Sequence, residues 1–218
     1  MRTREERVAR LAEARLYCCT DARGSVDDFA TFVDDLFASG VDIVQFRDKS
    51  MEPRQAMDYI AALREAALRH GALSCVNDRA DIAALMDVDI VHVGQDDLTP
   101  VQARSIVGAA MLIGRSTHAI AESLEADADT EVDYFAVGPV WPTPTKPGRP
   151  APGLDLVRAV ADAGSTKPWF AIGGIDAARM TEVVAAGAER VVVVRALTAS
   201  SSPRDAAQEL LKALPSAN

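Results

Sequence analysis

Short apolar runs alternate with helix-period segments along almost the whole chain. The runs fall at residues 16–19, 41–47, 72–76, 90–93, 111–113, 134–137, 169–172 and 191–194. Between and after them, apolar positions recur every three or four residues near 27–38, 53–70, 81–86, 99–107, 119–128, 154–163, 176–186 and 203–214. Helix-stop glycines stand where these segments end, as in Ala38-Ser39-Gly40, His70-Gly71 and Ala186-Gly187. Several of the runs are apolar without alternation, as parallel strands covered on both faces should be. Eight strand–helix units in about two hundred residues predict a (β/α)8 barrel, a single α/β domain over residues 1–218. An extra helix at about residues 4–14 is expected to cap its lower end. An open doubly wound sheet is the alternative, although no G-x-G-x-x-G follows the first strand, which counts against its dinucleotide-binding form.

Composition narrows the class of partner. The 218 residues are 25% charged and 49% hydrophobic, ordinary for a soluble globular chain. A formal charge of -9 disfavours nonspecific nucleic-acid binding, so an anionic ligand must be held by locally placed cations. No run approaches the roughly eighteen apolar residues of a membrane span, and the charged start, Met1 to Arg10, is not a signal peptide. A cytoplasmic location is the expectation. Cys18 and Cys19 are neighbours on one strand and point to opposite faces, and Cys75 sits in another strand. They are read as small buried hydrophobes in a reducing compartment, not as metal ligands or nucleophiles.

One segment exceeds the needs of a connector. After the sixth strand the chain runs Gly138-Pro139-Val140-Trp141-Pro142-Thr143-Pro144-Thr145-Lys146-Pro147-Gly148-Arg149-Pro150. A strand-to-helix link takes about two to six residues. The prolines stiffen the backbone that presents two threonine hydroxyls and a lysine. An interdomain linker is the other reading of such a composition. Only 66 residues follow Pro152, too few strands for a second parallel sheet, which favours a binding loop inside one domain.

Polar residues gather where the strands end, which is the working face of such a barrel. In the second strand, Val41, Ile43, Gln45 and Arg47 alternate with Val44 and Phe46. If Val44 and Phe46 pack on helices, Gln45 and Arg47 point into the barrel mouth, with Lys49 following from the loop or standing as a solvated charge. The third strand ends Asn77-Asp78-Arg79 and the fourth ends Gly94-Gln95-Asp96-Asp97. Asp78 and Asp97 at the tops of neighbouring strands suit Mg²⁺ held by few protein oxygens plus ligand phosphates; capping of the next helix is the alternative for each. Gly173-Gly174 after the seventh strand and Val194-Arg195 after the eighth occupy the usual phosphate pocket, where glycines let backbone approach an anion. His70 ends a helix, and His92 reads as a satisfied interior residue. His118 either touches a ligand or caps a helix. No Ser/His/Asp or Cys/His arrangement with a workable geometry is apparent.

Six ordered segments together resemble the thiamine phosphate synthase (thiamine-phosphate pyrophosphorylase) family. They are Gln45-Phe46-Arg47-Asp48-Lys49, Val76-Asn77-Asp78-Arg79, His92-Val93-Gly94-Gln95-Asp96-Asp97-Leu98, Ile113-Gly114-Arg115-Ser116-Thr117-His118, Gly138 to Pro150, and Ala171-Ile172-Gly173-Gly174-Ile175. The resemblance implies a transferase joining 4-amino-2-methyl-5-(diphosphooxymethyl)pyrimidine to a thiazole phosphate, giving thiamine phosphate and pyrophosphate. By motif, it places Gln45, Arg47, Lys49, Asn77, Ser116 and Lys146 on the pyrimidine diphosphate. Asp78 and Asp97 would bind Mg²⁺; Thr143, Thr145, Gly174 and the backbone at Val194-Arg195 would hold the thiazole phosphate. Arg47, Lys49 and Lys146 are the expected catalytic cations. The partners implied are small molecules, with no nucleic acid or membrane, and the oligomeric state is left open. Two departures stand out: Phe46 where the family more often has Leu, and Arg195 where a serine commonly follows the eighth strand. A thiazole tautomerase-like relative or a noncatalytic phosphate-binding barrel are the competing functions.

Overall fold

In the computed structural model, which describes residues 2–143 and 151–216, eight parallel strands close into a barrel in sequence order. The strands are β1 (Leu16–Thr20), β2 (Ile43–Phe46), β3 (Leu73–Asn77), β4 (Ile90–Val93), β5 (Leu112–Thr117), β6 (Tyr134–Val137), β7 (Trp169–Ile172) and β8 (Val191–Val193). The helices are α1 (Arg4–Glu13), α2 (Val26–Ala38), α3 (Pro53–His70), α4 (Ala80–Met86), α5 (Pro100–Val107), α6 (Ile120–Ala128), α7 (Leu154–Ala163), α8 (Met180–Ala185), α9 (Arg195–Thr198) and α10 (Pro203–Ala213). Two expected strands change length by more than one residue: β2 is shorter, so Arg47 lies just past its end, and β5 runs on to Thr117. The expected helix at 176–186 begins as a 3-10 turn, Ala177–Arg179, capped by Asp176. The four-residue α9 was not anticipated.

Alternation along each strand sorts the side chains into two layers. Leu16 and Cys18, Val44 and Phe46, Val91 and Val93 join the helix-facing core. Tyr17 and Cys19, Ile43, Leu73 and Cys75, Ile90, Leu112, Tyr134, Phe170 and Val192 fill the barrel interior. Phe46 therefore faces helices as expected, stacked on Tyr59 and edge-on to Phe29. Val41 departs from the expectation that it shares the face of Ile43: it precedes β2 and packs in the outer core. Inside the barrel, Tyr17 and Tyr134 both meet Phe170 edge-to-face, with centroids 5.6 and 5.5 Å away. These three rings fill the waist and form a floor for whatever lies above.

The lower end is closed by α1, whose Leu11 joins the interior cluster together with Ala14, just past the helix end. Thr3 and Glu6 form a capping box that starts this helix. The helix is fastened by charge. Three even strands are each preceded by aspartate, in Val41-Asp42-Ile43, Val88-Asp89-Ile90 and Val132-Asp133-Tyr134. Each carboxylate accepts backbone N–H from the start of the preceding odd strand: Asp42 from Leu16, Asp89 from Ser74, and Asp133 from Ile113. Arginines flanking and within α1 then reach these acids, Arg2 and Arg7 to Asp89 and Arg4 to Asp133. Arg7 is only 2% exposed, so its charge depends on Asp87 and Asp89. Asp89→Ala leaves Arg7 buried with half its partners and the Ser74 N–H unpaired. It is expected to cost about 3–5 kcal/mol of unfolding free energy, measured by urea denaturation. A loss below about 1 kcal/mol would show that the latch contributes little.

Candidate active site

Parallel closure sends every strand's carboxyl end to one rim, and a cavity of about 330 Å³ opens there. Gln45, Arg47, Asn77 and Ser116 line it from β2 to β5; Gly174, Val194 and Arg195 line it from β7 and β8. Thr143 also reaches it from the loop after β6. Thr145 and Lys146 lie outside the described residues. Among the described residues the lining holds three arginines, Arg47, Arg179 and Arg195, and one carboxylate, Asp176. That carboxylate is engaged in capping, since it accepts from the Arg179 backbone N–H. A chain of net charge -9 thus keeps a positive mouth, which suits an anionic ligand.

A second recess, of about 230 Å³, adjoins the first and shares Asn77 with it. Lys49 and Asp78 line this recess, and Lys49 Nζ sits 2.7 Å from Asp78 Oδ2. Lys49 is therefore both an ion-pair partner and a largely exposed loop charge. Burial, and then Asp97 beside it, raise the Asp78 carboxyl above its ordinary range, while Lys49 pulls it back. The two acids do converge, as expected. Neither caps a helix: α4 has Arg79 at its N-cap with no side-chain bond, and α5 is capped by Thr99 and Gln102. Asp97 Oδ2 accepts instead from the Gly94 N–H, 2.9 Å away, within its own loop. Asp78 adopts φ of 60°, an uncommon conformation for a residue with a side chain.

The glycine pair after β7 has a structural task as well as a place in the cavity lining. Gly173 and Gly174 adopt φ of 108° and 68°, and a Cβ on Gly173 would lie 2.5 Å from Pro139 Cα. Their bareness admits the loop after β6. That loop is hydrogen-bonded to the end of β7, through Val140 N–H to the Ile172 carbonyl at 2.8 Å and Trp141 N–H to that of Gly173 at 3.0 Å. The first residues of the Pro-rich segment are thus anchored to the barrel, against the linker reading. Arg179 completes the contact by donating to the Gly174 carbonyl at 2.6 Å with its guanidinium over the Trp141 ring.

Sequence reasoning underused three residues. His92 and His118 line the cavity, and so does Arg179. His118 lines the cavity and is not the helix cap: Ala119 holds that position, and the His118 backbone N–H donates to Glu122 in the first turn of α6. Arg179 lies inside a helical pattern and carried no signal. The helix α9 was hidden because four residues are too few to show a period; Arg195 opens it, and Val193 to Ala196 all border the cavity.

The whole architecture has close counterparts. Residues 16–197 match the family model described as thiamine monophosphate synthase. The thiamine-phosphate synthase of Streptomyces avermitilis is 56% identical over 205 residues, covering 94% of this chain and 95% of that protein. The enzyme of the same name from Mycolicibacterium smegmatis is 55% identical over 219 residues, covering 96% of each. Among solved structures, thiamine phosphate pyrophosphorylase from Pyrococcus furiosus superposes with a TM-score of 0.82 at 28% identity, over 94% of this chain and 96% of that one. The match spans nearly the full length of these relatives, and this chain belongs to the thiamine monophosphate synthase family.

Proposed function

We propose that this chain couples 4-amino-2-methyl-5-(diphosphooxymethyl)pyrimidine to a thiazole phosphate, releasing pyrophosphate and thiamine phosphate. The observation that carries the reading is one mouth with two ends. Gln45, Arg47, Asn77 and Ser116 line one side, while Gly174, Val194 and Arg195 line the other. The first set would hold the pyrimidine and its diphosphate, whose far phosphate extends toward Lys49 and Asp78 in the adjoining recess. The second set, with Thr143 and Thr145, would hold the thiazole phosphate, using backbone N–H groups at the start of α9 that lack helical acceptors. Arg195 would add a charge-assisted contact where a serine is commoner.

Asp78 and Asp97 fit Mg²⁺. Their carboxylates adjoin, and burial destabilises the charge on Asp78, which a cation would offset. Among the described residues no group of three or more acids, histidines or cysteines gathers into a cage. Magnesium bound through one or two carboxylates and substrate phosphates needs none. When bound, Mg²⁺ would supply positive charge to the diphosphate oxygens.

The reaction asks little acid–base chemistry of the protein. The thiazole nitrogen attacks with an existing lone pair, and the bond between the pyrimidine methylene and the diphosphate oxygen breaks with its electron pair leaving on pyrophosphate. Positive charge growing on the methylene is delocalised by the 4-amino group. Arg47, Lys49 and Lys146 take up charge on the departing group, so catalysis is electrostatic and positional. The three free, buried cysteines suit a reducing, cytoplasmic setting, and among the described residues no helix is long and apolar enough to cross a membrane.

Incubating the protein with both substrates and Mg²⁺ should release pyrophosphate and give a product of thiamine phosphate mass. Thiazole isomerisation without pyrophosphate would instead indicate a tautomerase, and binding without turnover a noncatalytic barrel. Lys146→Ala should lower kcat more than thiazole affinity, since its charge matters most as pyrophosphate leaves; an unchanged kcat removes it from the mechanism. Asp78→Asn should shift half-saturation by Mg²⁺ to higher concentration, and an unaltered magnesium response would count against the ligand assignment.

A further inference from the structure

Three neighbouring strands place one row of residues across the barrel above its aromatic floor. His92 of β4 is register partner to Gly114 of β5, which in turn is partner to Tyr134 of β6. Gly114 leaves a gap: a Cβ there would lie 2.3 Å from Tyr134 Cζ and 2.5 Å from His92 Nδ1. Real Cβ atoms do not approach so closely, so the bare glycine is what allows Tyr134 and His92 to meet over the strand between them. The Tyr134 hydroxyl lies 3.0 Å from His92 Nδ1, and His92 Nε2 lies 2.9 Å from Ser116 Oγ. The Tyr17 hydroxyl, which accepts from Gln45 Nε2 at 2.6 Å, is 3.2 Å from that of Tyr134. One buried network therefore touches both Gln45 and Ser116.

A neutral imidazole has one N–H and one lone pair, so two proton arrangements fit these distances. In one, Tyr134 donates to Nδ1, and Nε2–H donates to Ser116. In the other, Nδ1–H donates to Tyr134, and Ser116 donates its only proton to Nε2. The first joins the more acidic donor, a phenol, to the more basic acceptor, an imidazole nitrogen. Burial pushes the Tyr134 phenol well above its usual value, so it keeps its proton to give. The second arrangement turns only lone pairs of Ser116 toward the cavity, which would repel a diphosphate.

We propose that Tyr134 is a positioning residue: through the gap at Gly114 it fixes the His92 ring proton on Nε2, and thereby presents the Ser116 hydroxyl to the cavity as a hydrogen-bond donor. The consequence for ligand binding rests on the diphosphate reading above; the proton arrangement itself does not. Nitrogen-15 NMR of the full, histidine-labelled chain, with signals assigned by His70→Gln and His118→Gln, should show His92 protonated on Nε2. Its bare Nδ1 resonance should move in Tyr134→Phe, where the donor is lost and the ring kept. The same variant should raise KM for the pyrimidine diphosphate roughly tenfold. Ser116→Ala should be made no worse by adding Tyr134→Phe. A wild-type proton on Nδ1, a doubly protonated ring, an unmoved Nδ1 resonance or losses that multiply would each overturn the proposal. If Tyr134→Phe does not fold, the wild-type tautomer still decides. Absence of pyrophosphate release by the wild type would sink the coupling reaction while leaving the tautomer result standing.

Discussion

Eight strands running the same way around a closed ring have no freedom over where their ends go. All the carboxyl ends meet at one rim, so residues as far apart in sequence as Gln45, Ser116 and Arg195 share a cavity without any loop having to reach for it. The constraint acts inward as well. A barrel of this size must be filled, and here the filling is Tyr17, Tyr134 and Phe170 at the waist with Leu11 below. Packing ends at that aromatic floor, and above it the interior positions turn polar: Gln45, His92 and Ser116. The transition from core to site happens within single strands, over one alternation of the pleat.

Polar groups held so close to an apolar floor must answer to one another. The Tyr17 and Tyr134 hydroxyls, the Gln45 amide, His92 and Ser116 are joined in a continuous set of hydrogen bonds. Such a network rigidifies its members when every one is satisfied. The outer acids follow a different logic. Asp78 and Asp97 stand together, with Lys49 as an ion-pair partner of Asp78 at the rim. The interior of the mouth is fixed by neutral hydrogen bonds, and its edge by charges that a ligand or cation can redistribute.

Much of this was legible beforehand, for reasons that can be named. Strand and helix periods differ enough that the eight units could be counted, and inward alternation at Gln45 and Arg47 followed from the apolar partners Val44 and Phe46. What escaped was information carried by distant pairs. That Gly173 is bare because Pro139 lies against it cannot be seen in either segment alone. The same holds for Gly114 between His92 and Tyr134. Arg179 looked like any helix residue, and α9 was shorter than a period. Val41 was misplaced because alternation was extended beyond the strand's first true residue. The arginines near the start of the chain were read as a charged helix, with no hint that their partners would be the acids before β4 and β6.

Those partners set an order of events in folding. Asp133 follows Arg4 by 129 positions, and Asp89 follows Arg7 by 82. The helix that seals the base therefore gains its full set of partners only when Asp133, just before β6, is in place. Contacts of such long separation are slow to form and are rewarded only near the end of folding. The seal at the base is thus among the last contacts to form.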